Sequence, residues 1–264
     1  MFKSIRILDR VLRGEMTQAS AMQKGFVEIP VWGTLGVIVV LAMFHGACMG
    51  GFALFKPEGP TPAQMLASTV KTPLLFLLTL FVTFPSLYVF NALLGSRLKI
   101  LPLLRLLVAS LGVMVAVLAS LGPIVAFFSV SSTSYAFMIL LNVAVFALAG
   151  FLGIGFLLQT LHRLSIPSQP KTPEAIPEVI DPNAPQETPG PLEPTENQVV
   201  SRPVLTVFWC WMVLFGLVGA QMSWVLRPFI GNPNQPFQWF RTREANFFEA
   251  VYHTLVNFLG QGGA

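Results

Sequence analysis

Five stretches of this chain stay apolar long enough to cross a bilayer, and that constrains its fold more than any other feature. A hydrocarbon core about 30 Å thick takes about 20 residues at a helical rise of about 1.5 Å. Residues 31–55, 72–94, 102–128, 135–161 and 203–226 each reach that length. Lipid offers no hydrogen bonds to a backbone, so such stretches must satisfy their own amides as helices. Composition agrees: 54% of the residues are hydrophobic and 11% charged, against about 25% charged in a soluble domain. The expected fold is an all-α membrane protein, a five-helix transmembrane bundle with amphipathic interfacial helices at its N- and C-terminal ends.

Pro30, Pro73, Pro102 and Pro203 stand at or near the first turn of four spans, where a missing N–H has no intrahelical acceptor to lose. They are read as helix starts. Pro85 and Pro123 fall within spans and predict kinks, with neighbouring helices or the nearby Ser86 and Ser120 helping to satisfy the freed carbonyls. Alternating the spans puts 11 of the 16 Lys and Arg residues on the N-terminal side and 5 on the other. The positive-inside rule then places the N-terminus in the cytoplasm and the C-terminus outside, in a cell's inner (cytoplasmic) membrane. The first apolar run begins only near Val31, behind a charged stretch, so the N-terminus is expected to stay attached.

Residues 1–29 form a cytoplasmic amphipathic segment, with Phe2, Ile5, Leu8, Val11 and Leu12 on one helical face and Lys3, Arg6, Arg10 and Arg13 largely on the other. Four spans occupy 30–164. Residues 165–202 carry nine prolines and six carboxylates, a composition expected to be disordered with polyproline II character. Pro167, Pro170 and Pro173 also have the spacing of a ligand for a proline-reading domain. The fifth span, 203–227, follows. Residues 228–264 form an extracytoplasmic turn and an amphipathic cap helix, read as 243–259.

The formal charge of +4 and pI near 9.3 do not imply nucleic acid, because the basic residues flank apolar runs where lipid headgroups account for them. No charged residue falls in the middle of a span, which removes support from proton pumps, ion-coupled carriers and voltage sensors. The chain has neither GxxxxGK[ST] nor GxSxG. Ser110 or Ser120 would have to pair with His45 to make an intramembrane protease, and membrane serines more often bond their own backbone. His45, Cys48 and Met49 at i, i+3 and i+4 offer imidazole, thiol and thioether on one face, a set copper would accept. A neutral histidine bonded to a facing helix is the ordinary alternative. Haem is not supported, since His162 and His253 lie outside the spans. No catalytic residue, cofactor or metal is therefore expected.

Small residues are the more informative pattern. Gly46 and Gly50 form a GxxxG, with Gly150 and Gly153 in the fourth span and Gly216 and Gly219 in the fifth. Such positions let helix backbones approach closely, within one chain or between copies of it. At the C-terminal end, Arg227 can reach headgroup phosphates or helix carbonyls, Pro228 stops the helix, and Gly231 with Asn232 and Pro233 turns the chain back. Phe229, Trp239, Asn246, Phe247 and Phe248 complete a structural cap or partner-binding surface.

The phrase Lys71-Thr72-Pro73-Leu74-Leu75-Phe76 through Pro85-Ser86-Leu87-Tyr88, with five spans and an outer C-terminus, resembles prokaryotic membrane proteins of the Yip (Rab-GTPase-interacting) type. The stretch from Gly219 through Leu226-Arg227-Pro228-Phe229-Ile230-Gly231, with Asn246-Phe247-Phe248, resembles bacterial membrane proteins that share an LRPFxGxP ending. This resemblance implies no catalytic residues. Eukaryotic Yip relatives imply roles in trafficking and membrane shaping, which do not transfer where Rab partners are absent. The expected function is a non-enzymatic membrane scaffold or accessory subunit whose partners are the lipid bilayer and either copies of itself or a membrane protein complex. A channel or permease subunit without its own energy source is the alternative.

Overall fold

Apolar runs this long form helices, and helices are what the computed structural model contains. It describes residues 2–13, 30–55, 61–93, 100–164, 202–232, 235–242 and 245–261, and among these there is no strand. The helices are α1 (Phe2–Leu12), α2 (Val31–Gly50, prolonged by a 3-10 turn, Gly51–Leu54), α3 (Pro62–Leu93), α4 (Ile100–Ser131), α5 (Tyr135–Leu164), α6 (Arg202–Val225) and α7 (Phe247–Gln261). Four of them, α2 to α5, are long and apolar enough to cross a membrane. In α6 the apolar part is shorter, Trp209–Val225. The proline-rich 165–201 segment, residues 14–29, Pro233 and the last three residues lie outside the described residues.

The helices form an open arc in the order α5, α4, α2, α3, α6, each packed against the next. α2 is its keystone. Ile38, Ala42 and His45 are fully buried between α3 and α4, and α1 lays Leu8 and Val11 against α2 and α4 while Ile5 and Leu12 stay exposed. The two ends of the arc, α5 and α6, touch little, and α7 bridges them. Trp32, Phe81, Phe127 and Phe151 are exposed. Large apolar side chains left outward in this number suit a hydrocarbon solvent.

The prolines divide into two groups. Pro30 caps α2, Pro102 lies in the first turn of α4, and Pro203 in that of α6. Pro73, read from sequence as a helix start, is instead inside α3, whose first residue is Pro62. The polar residues Gln64, Ser68 and Lys71 concealed that earlier start by breaking the apolar run. Nor do Ser86 and Ser120 bond the carbonyls released by Pro85 and Pro123, which belong to Phe81 and Ala119 four residues back. Their hydroxyls donate to Thr83 and Val117, three residues back.

Contact between α2 and α3 is closest at the GxxxG. A Cβ on Gly46 would stand 2.6 Å from the Ser68 carbonyl oxygen and from Thr72 Oγ1, and one on Gly50 would stand 2.8 Å from Met65 Cα. Backbone meets backbone there. Gly46→Ala should cost about 1–3 kcal/mol through overpacking and lower the thermal unfolding midpoint in detergent. Gly155→Ala, where an added Cβ meets nothing within 4 Å, should leave that midpoint unchanged or slightly raised.

Candidate functional site

A polar stripe on a helix surrounded by apolar neighbours must find partners, and the stripe on α3 finds them in the C-terminal chain. Gln64, Ser68 and Lys71, at i, i+4 and i+7, share one face of α3 near the end of the bundle where α6 gives way to α7, here termed the cap end. All three are buried. Gln64 Nε2 donates to the carbonyls of Pro228 and Phe229, at 3.1 Å each. The Ser68 hydroxyl also donates to the Phe229 carbonyl. Lys71 Nζ donates to the Pro228 carbonyl at 3.3 Å and to the Trp239 carbonyl, with the Phe240 ring centroid 4.9 Å away. Without such partners a buried ammonium would be strongly unfavourable.

Lys71 lies nine residues beyond Pro62 within α3, a helix long and apolar enough to cross a membrane. The sequence reading placed it in a loop; the structure corrects this and puts an ionisable group inside a spanning-length helix. Its partners are neutral carbonyls and aromatic rings.

A second set of contacts ties the end of α6 to α7. Trp224 Nε1 donates to the Ala245 carbonyl, the Arg227 guanidinium donates to the Thr242 carbonyl, and that guanidinium stacks 3.7 Å over the Trp224 ring. The Arg227–Pro228 peptide is cis. Asn246 caps α7, its Oδ1 accepting the Glu249 amide at 2.9 Å. This cap explains why α7 begins at Phe247 rather than at residue 243.

The residues expected to form a cap are distributed along this chain reversal. Pro228 and Gly231 are buried, Phe229 packs on the core, Trp239 is half-exposed, and Phe247 and Phe248 meet edge to face. Gln64, Ser68, Lys71, Trp224 and Arg241 were missed, as was Gln221, whose Oε1 accepts the Phe247 amide at 3.5 Å. The i, i+4, i+7 polar spacing behind Pro62 was the available signal for the first three.

Inside the arc is a hollow of about 770 Å³, walled by α3, α4, α5 and α6 and roofed by α7. Its lining is leucine, isoleucine, valine, methionine and phenylalanine for most of its length, with Arg227 and Arg241 at the cap end. α6 is fixed beside it by Trp211, whose buried Nε1 donates to the Thr83 carbonyl at 3.0 Å. Of the glycines expected to pack helices, Gly46 and Gly50 meet α3, Gly153 meets Met114 of α4, and Gly219 faces Thr79 of α3 at ordinary contact distance. Gly150 barely reaches Met114, and a Cβ on Gly216 would touch nothing within 4 Å. Gly216 therefore borders the hollow rather than a helix, because α5 and α6 stand apart.

Several of the remaining polar residues bond neighbouring helices, although Thr34 Oγ1, His45 Nε2 and Asn142 Oδ1 are buried without a hydrogen-bond partner. His45 Nδ1 lies 2.8 Å from the Leu118 carbonyl, a spacing that makes it the protonated donor nitrogen, and its ring meets Phe146 edge-on at 5.4 Å. Ser110 donates to the Gly153 carbonyl across the α4–α5 contact, while Ser120 bonds within its own helix. Neither serine is bonded to His45. Among the described residues no three His, Cys, Asp or Glu side chains gather into a metal site.

The clamp yields a direct test. Lys71→Met preserves length and removes the ammonium, leaving the Trp239 carbonyl without that donor. It should cost on the order of 1.5–3 kcal/mol, lower the unfolding midpoint in detergent, and speed proteolysis between residues 226 and 246. Trp211→Phe should cost about 1 kcal/mol without exposing that segment.

No protein-family model matches the chain, and neither does any curated protein or solved structure.

Proposed function

We propose that this chain is a non-enzymatic integral membrane scaffold or accessory subunit that assembles with itself or with other membrane proteins. The observation that supports this reading is that the bundle's buried hydroxyls are committed to their own helices. Thr72, Thr79, Thr83, Ser129 and Thr160 are buried, and each donates its hydroxyl to the carbonyl four residues back on its own helix. Side chains committed to their own backbones do not line an aqueous path. The hollow between the helices is walled mostly by apolar side chains, with Thr79, Ser110 and Asn142 the polar exceptions along its depth. A channel or carrier needs polar groups at mid-depth to replace the solute's water.

The proposal includes α6 as a fifth span, an N-terminus in the cytoplasm, an external C-terminal cap, and an inner-membrane location. These rest on the 24-residue length of α6 and on the surplus of Lys and Arg on the N-terminal side. Kinship with Yip-type proteins belongs to the same proposal and is supported by the residues of the second span and of 219–231. The ordered cap offers partners a fixed surface, with Trp239, Phe240 and Tyr252 exposed on it.

Two measurements test this. Proteoliposomes of the purified chain should pass ions and small solutes no faster than protein-free vesicles; flux from the protein alone would overturn the scaffold reading in favour of a channel or permease subunit. Single cysteines introduced at Gln235 and Ser4, in a chain whose Cys48 and Cys210 are replaced by alanine, should differ in intact cells. Residue 235 should react with an impermeant maleimide and residue 4 should not.

A further inference from the structure

What a largely apolar hollow can bind selectively is decided by the polar atoms in its wall. Thr79, Ser110 and Asn142 stand along its depth. The Thr79 hydroxyl donates to the Leu75 carbonyl at 2.7 Å, the Ser110 hydroxyl to the Gly153 carbonyl at 2.9 Å, and Asn142 Nδ2 to the Met138 carbonyl at 2.8 Å. Each of the three thus commits a donor to a backbone carbonyl. Asn142 Oδ1 is left over: the residue is 5% exposed, and this oxygen is buried without a hydrogen-bond partner. The bond to Met138 fixes which end of the amide is the oxygen. Burying an amide carbonyl without a partner is unfavourable, so such an atom in the wall of a native hollow signals a missing donor.

That donor has to come from within a long apolar space and bring no uncompensated charge. An ammonium there would be buried against one neutral oxygen, and a carboxylic acid ionised at neutral pH has no proton to give. A hydroxyl keeps its proton and carries no charge. A water held by Asn142 alone would lack the further partners that buried waters use. Past Asn142 the wall of α5 continues through Phe146, Gly150 and Ile154 to Leu157, about 22 Å at a rise of about 1.5 Å per residue, long enough for an extended aliphatic chain. A transmembrane helix seated between α5 and α6 along their length would hold their axes about 16–20 Å apart, yet the two touch. A single aliphatic chain needs far less room.

We infer that the hollow is a slot for a neutral lipid alcohol, whose hydroxyl donates to Asn142 Oδ1 while its aliphatic chain runs along α5 toward Leu157. Gly150 of α5 and Gly216 of α6 both border that path, where the missing side chains widen the slot. The inference holds whether or not the chain assembles with partners, so failure of the scaffold reading would leave it standing.

A pair of probes that differ only in the donor tests it. The full chain in mild detergent is equilibrated with equal amounts of oleyl alcohol and its methyl ether, which has the same chain but lacks the O–H, and retained molecules are counted by native mass spectrometry. Wild type should keep one molecule of the alcohol, preferred about fivefold over the ether. Asn142→Leu, similar in size but without the acceptor, should hold alcohol and ether equally and keep its thermal unfolding midpoint. Gly216→Phe adds a side chain at a position whose Cβ meets nothing within 4 Å, and should retain at least about tenfold less of either probe. Equal retention of alcohol and ether by wild type, retention of neither, a preference that survives Asn142→Leu, or undiminished retention by Gly216→Phe would each overturn the inference. A photo-crosslinker at position 216 covers the case of variants that misfold. In membranes it should link to lipid; linkage to a second copy or to another protein would mean that a polypeptide fills the slot, and would overturn the inference too.

Discussion

A buried lysine set among apolar helices organises the cap end of this molecule. Lys71 is set into α3 among apolar helices, and the carbonyls that receive its protons come from the far end of the chain. Ser68 and Gln64 repeat the arrangement one and two turns earlier. Residues 228, 229 and 239 lie outside the helices, and α3 has buried polar side chains that need acceptors. Each deficit answers the other. The reversal after α6 is thereby seated on α3, which determines where α7 starts and so where the roof over the hollow lies.

The rest of the bundle is assembled differently. Hydrocarbon solvent provides no hydrophobic drive between helices, so close packing has to substitute for it. At Gly46 and Gly50 the α2 and α3 backbones come near enough that a methyl group has no room. Elsewhere single polar bonds cross the contacts, from Ser110 to Gly153, from Trp211 to Thr83, and from His45 to Leu118. Each joins a side chain of one helix to a carbonyl of another.

Much of this was legible in the sequence, and the failures have physical causes. Apolar length identified four spanning-length helices, α2 to α5, because lipid demands an uninterrupted run. Pro30, Pro102 and Pro203 fell at helix starts as expected, whereas Pro73 did not, since a proline within a membrane helix is tolerated when neighbours meet the freed carbonyl. The same error hid the clamp: starting the second span at Thr72 left Gln64, Ser68 and Lys71 in an apparent loop, where polarity needs no explanation. Their spacing was visible, but their partners lie more than 150 residues away in sequence, and hydropathy carries no information about such pairing. The hollow was likewise beyond reach of sequence, since Gly216 and Gly46 are the same residue type and only tertiary structure says which one meets a neighbour.

The two arms that flank the hollow have an unusual connection. Most neighbouring helices in a bundle are joined by short turns that fix their separation, as Ser132 to Ser134 do between α4 and α5. Residues 165–201 between α5 and α6 lie outside the described residues. Among the described residues, the short α7 meets both arms at the other end. Slot width is thus a tertiary setting: lengthening or shortening α7 by a turn would retune it while leaving both arms, and the connection between them, unaltered.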